Sequence, residues 1–436
     1  MAIQTHIEAP QEIMFAERIA PSFRHLRRNF LLFFLDLVLF GTAFTLISGT
    51  TVIPDFVRHL TNSDLVLGFV ASIYNVAWLL PQIVLAQFIN RGTRRKPFIT
   101  WTAIPFRMVM IVMAIGIAVI GPNDVTLILL VFLVGYTLFA AADGLVTIAW
   151  ADLVGTSIPD RWRGVLLSAG EFLLAFTALG TRALVQQLLG PKGAPFPQNY
   201  AQVFGIAGVI FVIAGICLTF LVEEKQKKPV EPGPRLREYL PYLGNVLRSD
   251  KTFRQFTIVR SLLDLTLLAA PFYIIFGINS LKIPSATLVG DSFLLAMVGS
   301  AVAALVMSWL SHRIGSRAVI ILLAFASISH PLLALLSFVV GEPALYGAFF
   351  MLGVISAGGA PGYFDWIITY APPDRRPIYV GLTNTISAVS HLAPLLGGFI
   401  LSTTSYPVLF AAALVLAVIG LGSSLFLIEP RRQAQV

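Results

Sequence analysis

Asp36, Arg107, Asp143, Glu171, Arg260 and Asp264 are ionisable residues set inside long apolar runs. A charge in hydrocarbon is costly, so such residues face a protein interior, take a partner and mark a path for ions or solutes. At about 1.5 Å per helical residue, all six lie on the order of 7 to 18 Å from the same ends of their runs, a depth that puts them in one layer. Arg107 and Asp143 reach similar depth on successive antiparallel runs, which predicts an ion pair. Its bland alternative is structural neutralisation. Arg260 and Asp264 stand four residues apart and predict a pair on one helix face, which makes Asp264 a fixed charge. Asp36 has only Leu35 and Leu37 beside it. With no cation near them in sequence, Asp36 and Glu171 are the expected proton carriers.

Polar and aromatic groups in other runs that could face a solute are Asn75, Trp78, Gln82, Tyr363, Asn384 and His391. Asn75, Asn384 and His391 are candidate solute contacts. For Trp78 and Tyr363 packing competes with that role, and His391 reads equally as a satisfied neutral imidazole or a protonation switch. Gly358-Gly359-Ala360-Pro361-Gly362 should interrupt its helix and free backbone groups to line a cavity.

The elements that must position these groups are membrane helices. Of 436 residues 57% are hydrophobic and 12% charged, against roughly a quarter charged in a soluble domain. A bilayer helix needs about 20 apolar residues, and such runs recur at 30–53, 65–89, 98–120, 125–153, 164–189 and 201–222, then at 256–279, 288–311, 317–340, 343–370, 378–401 and 407–428. The chain divides into a tail 1–29, a six-helix bundle 30–222, a link 223–255, a second bundle 256–428 and a tail 429–436. In the link, Leu236, Tyr239, Leu240, Leu243, Val246 and Leu247 follow a helical period, which predicts an amphipathic helix on the membrane surface.

The net charge of +8 does not indicate nucleic-acid binding, because the basic residues sit in links rather than on one soluble face. Of the 30 lysines and arginines, Arg58, Lys192 and Lys282 lie on one side and Arg107, Arg182 and Arg260 inside spans. All the others fall on the side of the N-terminal tail. The positive-inside rule then puts both termini in the cytoplasm of a cell membrane. Cys217 is the single cysteine, so no intrachain disulfide and no Cys-rich metal site can form. No metal or cofactor is expected. Glu8, Glu12 and Glu17 precede the first run, unlike a cleavable leader.

The two halves repeat. Leu35 to Gly49 and Leu263 to Gly277 share Leu, Asp, Leu, Leu, Phe, Ile and Gly in register, with Asp36 matched to Asp264. Asn90-Arg91-Gly92-Thr93-Arg94-Arg95 parallels His312-Arg313-Ile314-Gly315-Ser316-Arg317. Trp150 with Pro159-Asp160-Arg161 parallels Trp366 with Pro373-Asp374-Arg375. Matches in the same order, six spans apart, describe a parallel repeat.

These features resemble the major facilitator superfamily, whose signature after the second helix is Gly-x-x-x-Asp-Arg/Lys-x-Gly-Arg/Lys-Arg-Arg/Lys. Arg91, Arg94, Arg95 and Lys96 match it, while Ala86, Asn90 and Thr93 depart. The second copy keeps Arg313, Gly315 and Arg317 and has His312 for the aspartate. The resemblance implies an all-α fold of twelve transmembrane helices in two six-helix bundles, rocking about a cavity lined by helices 1, 4, 7 and 10. It implies a secondary transporter of a small solute, working as a monomer in the lipid bilayer, with protons an open coupling partner. The basic links would latch one gate, and Asp152 and Asp365 are the carboxylates available to them, or mere helix caps. Ala393-Pro394-Leu395-Leu396-Gly397-Gly398 resembles an element of drug/proton antiporters but lies in the wrong half. Its physical content is a bend where the bundles meet. A membrane-embedded enzyme on a lipid-linked substrate and a non-transporting solute sensor are the rival readings. The short basic links lack the acidic or His-rich ligands that such an enzyme would need.

Overall fold

A computed structural model describes residues 25–89, 96–223, 244, 246–372 and 376–430. Sixteen α-helices account for nearly all of these, because a chain in hydrocarbon must satisfy its backbone hydrogen bonds internally. The first half contains α1 (Leu26–Leu46), α2 (Val52–Leu60), α3 (Asp64–Ile89), α4 (Lys96–Ile120), α5 (Val125–Ser157), α6 (Asp160–Leu189) and α7 (Gln198–Thr219). The second contains α8 (Lys251–Leu265) and α9 (Phe272–Asn279) as one broken span, then α10 (Ser285–Arg313) and α11 (Ser316–Val340). It closes with α12 (Glu342–Ala357), α13 (Asp365–Tyr370), α14 (Arg376–Ser390), α15 (Ala393–Thr403) and α16 (Tyr406–Leu425).

Eleven of these segments are long and apolar enough to cross a membrane, and the 26 residues of α3 make the twelfth. All-α architecture and twelve transmembrane helices in two bundles agree with the sequence. Side chains such as Val119 (79% exposed) and Val339 (86% exposed) cover the outer faces, where lipid takes the place of water.

Three elements show how sequence sets the breaks. The first span ends at Leu46, not near residue 53, since Ser48-Gly49-Thr50 cannot sustain the helix and Pro54 suits the first turn of a new one. The resulting α2 buries Val52, Ile53, Pro54, Asp55, Phe56, Val57 and Leu60 and turns Arg58 and His59 outward. In the tenth span, Gly359–Phe364 forms a π-helical segment between α12 and α13, at the expected interruption. The eleventh breaks after Ser390 and restarts at α15 with Pro394 in its first turn. The amphipathic helix expected across the link lies mostly outside the described residues.

Glycines bring the repeated helices together. A Cβ at Gly144 on α5 would strike the Trp78 backbone of α3, and one at Gly353 on α12 would strike the Ala296 backbone of α10. Close approach through small residues is the usual membrane packing device.

The buried apolar residues form three clusters. One contains only first-half residues, including Phe33, Ile99, Leu153 and Leu221. Another contains only second-half residues, including Phe253, Trp366, Tyr379 and Leu427. The third joins the halves, bringing Phe56, Tyr200 and Phe204 into one core with Phe272, Tyr273 and Phe410. The shared core lies at the helix ends remote from the termini, and the separate cores lie at the near ends. Among the described residues, this shared core joins the bundles on the far side.

Candidate functional site

Asp36 on α1 is 3% exposed and Arg107 on α4 is 5% exposed. Arg107 Nη1 donates to Asp36 Oδ1 at 3.0 Å and to the Phe211 carbonyl at 3.3 Å. Trp150 Nε1 on α5 donates to Asp36 Oδ2 at 3.0 Å, so both carboxylate oxygens are engaged. The Arg107 guanidinium also lies over the Phe40 ring, 5.0 Å from its centre, while its Nε has no hydrogen-bond partner. On the neighbouring turns of α5, Asp143 Oδ2 accepts from Tyr74 of α3 at 3.2 Å. A cavity of about 260 Å³ is lined by Asp36, Phe40, Arg107, Asp143, Trp150 and Leu174.

Two expectations need correction. Arg107 pairs with Asp36 and not with Asp143, because the inward rotation of α4 brings its guanidinium to α1. Asp36 therefore has a cation and an indole donor and is not the lone carboxylate. Asp143 occupies that position, with neutral donors only and with Arg107 and Asp36 both within electrostatic reach. Among the described side chains of this cluster, two acids against one base leave a net charge of −1 when both acids are ionised. The side chain of Glu171 lies outside the described residues.

The second half carries its own polar cluster. Arg260 Nε and Asp264 Oδ2 lie 3.6 Å apart, as their spacing predicts, and Ser387 of α14 donates to Asp264 at 2.8 Å. Arg260 sits over the Tyr363 ring at 5.0 Å. His391 is half-buried at the break of the eleventh span and in electrostatic reach of Asp264. Asn75 is half-buried on α3 and Asn384 is exposed on α14. The five of these charges whose side chains are described form two clusters, one per bundle. The repeat keeps an aspartate–arginine pair in each half, across helices in the first and along one helix in the second.

At the near ends, Arg91, Arg94 and Arg95 lie outside the described residues, as does the side chain of Asp152. Asp365 accepts from Ser311 at 2.9 Å. Arg313 ends α10, and the turn after it passes through Gly315 at φ 119°. The Arg317 backbone N–H at the start of α11 donates to Glu429 Oε2 at 3.0 Å, and its guanidinium to the Leu425 carbonyl at 2.8 Å. The first half does the same: the Lys96 backbone N–H at the start of α4 donates to Glu223 Oε2 at 2.8 Å. Each carboxylate meets a helix N-terminus, where it is favoured. The signal was in the sequence, since Phe220-Leu221-Val222-Glu223 parallels Phe426-Leu427-Ile428-Glu429, but it hides at the ends of apolar runs.

The far seal also escaped sequence reasoning. Arg182 on α6 meets Asp291 on α10 at 2.5 Å, and Gln186 donates to the same carboxylate at 3.1 Å. Asp55 on α2 accepts from Tyr200 on α7 at 2.6 Å and from Ser285 on α10. The Leu395 N–H donates to Ser72 Oγ at 3.2 Å. A Cβ at Gly68 would strike the Pro394 carbonyl, and one at Gly398 the Asp64 carbonyl. Arg182 inside a span was the one available pointer.

The family model for the Major Facilitator Superfamily matches residues 172–390 and 265–436, together more than half of the chain. No curated protein matches the sequence. Among solved structures, a D-xylose–proton symporter aligns with TM-score 0.65 at 14% identity, over 93% of this chain and 98% of that one. The nucleoside transporter NupG aligns with TM-score 0.60 at 14% identity, over 91% and 98%. A mutant of NupG gives 0.64, also at 14% identity, over 92% and 99%. Identities this low establish a common fold and leave substrate apart. With twelve helices in a repeated plan and the family model matched over more than half of its length, the chain belongs to the major facilitator superfamily of secondary transporters.

Proposed function

We propose that the protein moves a small polar solute through the cell membrane by alternating access, with both termini in the cytoplasm and the cavity open inward. Proton coupling runs through Asp143. The observation that carries this reading is the cavity beside Asp36, Arg107 and Asp143, together with the described contacts that join the bundles on the opposite side. The bias of basic links to the near side supports the orientation.

In this reading the Asp36–Arg107 pair is a fixed, neutral anchor joining α1 and α4. Asp143 carries the unbalanced charge, and one proton there makes the cluster neutral, which suits it to cross a closed, low-dielectric state. Trp150 and Phe40 give the solute apolar walls. Asp264, held by Arg260 and Ser387, orients solute or gates from the other bundle, with Asn75, Asn384 and His391 as further contacts. Arg91, Arg94, Arg95, Arg313, Arg317, Asp152 and Asp365 latch the cytoplasmic side when it closes. The transporter acts as a monomer. The fold neighbours include a nucleoside transporter and a xylose–proton symporter, which makes nucleosides and pentoses the first solutes to try.

The test is uptake into liposomes of purified protein with an imposed proton gradient, across a panel of nucleosides and pentoses. Gradient-driven uptake of one class, lost in Asp143→Asn while solute exchange persists, is expected. Accumulation surviving unchanged in Asp143→Asn contradicts the assignment. Turnover of a solute without movement would favour an enzyme.

A further inference from the structure

Among the described residues, Asp55 is the one carboxylate in the far seal that no arginine or lysine is seen to neutralise. It sits outside the membrane spans on α2, is 1% exposed, and joins three elements: its own helix, α7 through Tyr200, and α10 of the other bundle through Ser285. The titratable groups around it are few. Tyr200 donates a neutral hydroxyl, and His59 on the next turn of α2 places Nδ1 3.9 Å from Asp55 Oδ1 while bonding the Asp55 carbonyl at 2.9 Å. Arg58 of the same helix is turned to Asp64 on α3, and Asp291 on α10 is held by Arg182. Phe132 of α5 meets Phe56 of α2 edge-on at 5.1 Å, and the α9 residues that share this core are Phe272, Tyr273, Ile274, Ile275 and Phe276.

Opening the far side must separate Ser285 from Asp55, since they belong to different bundles, and water then reaches the carboxylate. The group is therefore dry in one state and wet in the other. A carboxylate that must shed its water to enter a closed interface does so at lower cost when protonated.

We propose that Asp55 is a proton-binding site in the outer gate, protonated from the exterior while the gate is open and returned as a neutral acid to its place between Tyr200 and Ser285 when the gate closes. The proposal uses the orientation given above, with the far side as the exterior. It is separate from Asp143, since the proton at Asp55 controls the gate and has no described route to the cavity.

The sign follows from linkage. Burial pushes the Asp55 carboxyl above its ordinary value in the closed gate, and the hydrogen bonds from Ser285 and Tyr200 pull it partly back. The closed gate thus holds the proton more tightly than the open one. Acid outside favours closure, and this support is lost as external pH rises through the closed-state value, starting from the ordinary carboxylate range near about 4.

The experiment follows outer-gate opening as labelling of Ser72→Cys by an impermeant thiol reagent in right-side-out vesicles. The background is Cys217→Ser, external pH runs from about 5 to about 8, and rates are normalised to the same reagent on Lys192→Cys. Labelling of Ser72→Cys should rise several-fold with pH. Asp55→Asn, a neutral mimic of the protonated acid, should label slowly with no pH step. Ser285→Ala removes a donor that favours the ionised form, so its step should move to higher pH, which keeps a readout if Asp55→Asn does not fold. His59→Gln should keep the step. A step retained in Asp55→Asn, an unmoved step in Ser285→Ala, or a step lost in His59→Gln overturns the proposal. Lys192→Cys labelling only from the interior would instead overturn the orientation.

Discussion

The buried pair of Asp36 and Arg107 should couple strongly, and far more than its repeat counterpart. At 3.0 Å, with side chains 5% and 6% exposed, neither charge has enough water around it to replace a lost partner. Removing one partner of such a pair costs about 3–5 kcal/mol. Arg260 and Asp264, at 3.6 Å with side chains 19% and 14% exposed, keep some water and should lose about 1 kcal/mol. For a bundle near 200 residues, the first loss lowers the unfolding midpoint by on the order of 10 °C. Asp36→Asn, Arg107→Met and the double variant complete the cycle, read by thermal unfolding in detergent. The double variant should recover most of the loss, with a coupling energy of about 2 kcal/mol or more. A coupling below about 0.5 kcal/mol, or equal costs for Asp36→Asn and Asp264→Asn, refutes the assignment of Asp36 to a fixed anchor.

Bulk at the bundle contact should act on conformation: Gly398→Val forces a side chain onto the Asp64 backbone, so impermeant labelling of Ser72→Cys should increase severalfold, and unchanged labelling would remove this contact from the seal. Glu429→Gln weakens the carboxylate at the N-terminus of α11 and should cost about 1 kcal/mol in thermal unfolding, with Glu223→Gln behaving alike at α4; no effect from either would make the matched pair incidental. A reporter fused after Val436 should be active only in the cytoplasm, and exterior activity would reverse the orientation.

Spans and repeat were legible because both rest on composition: about 20 apolar residues make a helix in lipid whatever their order, and Asp36 and Asp264 stand out in apolar surroundings. The Arg260–Asp264 pair was legible because both residues share one helix. The Asp36–Arg107 pair was not, since depth along a helix is readable from residue number but rotation toward α1 or α5 is decided by packing. Glycines such as Gly208, whose Cβ would strike Ile111 and Met110, fix that rotation through close approach. The outer seal stayed hidden for another reason. Asp55 lies within nine residues of a span end, where an acid reads as an ordinary loop residue, and its burial arises from α10 of the other bundle, 230 residues away in sequence. The bend at Pro394 was readable from Pro and Gly, while its partner on the other bundle, Gly68, was not.

Coupling of proton movement to solute movement through Asp143 is visible as proton flux. Purified protein is placed in liposomes with a pH-sensitive dye inside, and a solute identified from the uptake panel is added outside without a proton gradient. The account predicts that solute entry shifts the internal pH in the wild type, and that Asp143→Asn exchanges the same solute with no pH change. A pH change of wild-type size in Asp143→Asn would contradict it.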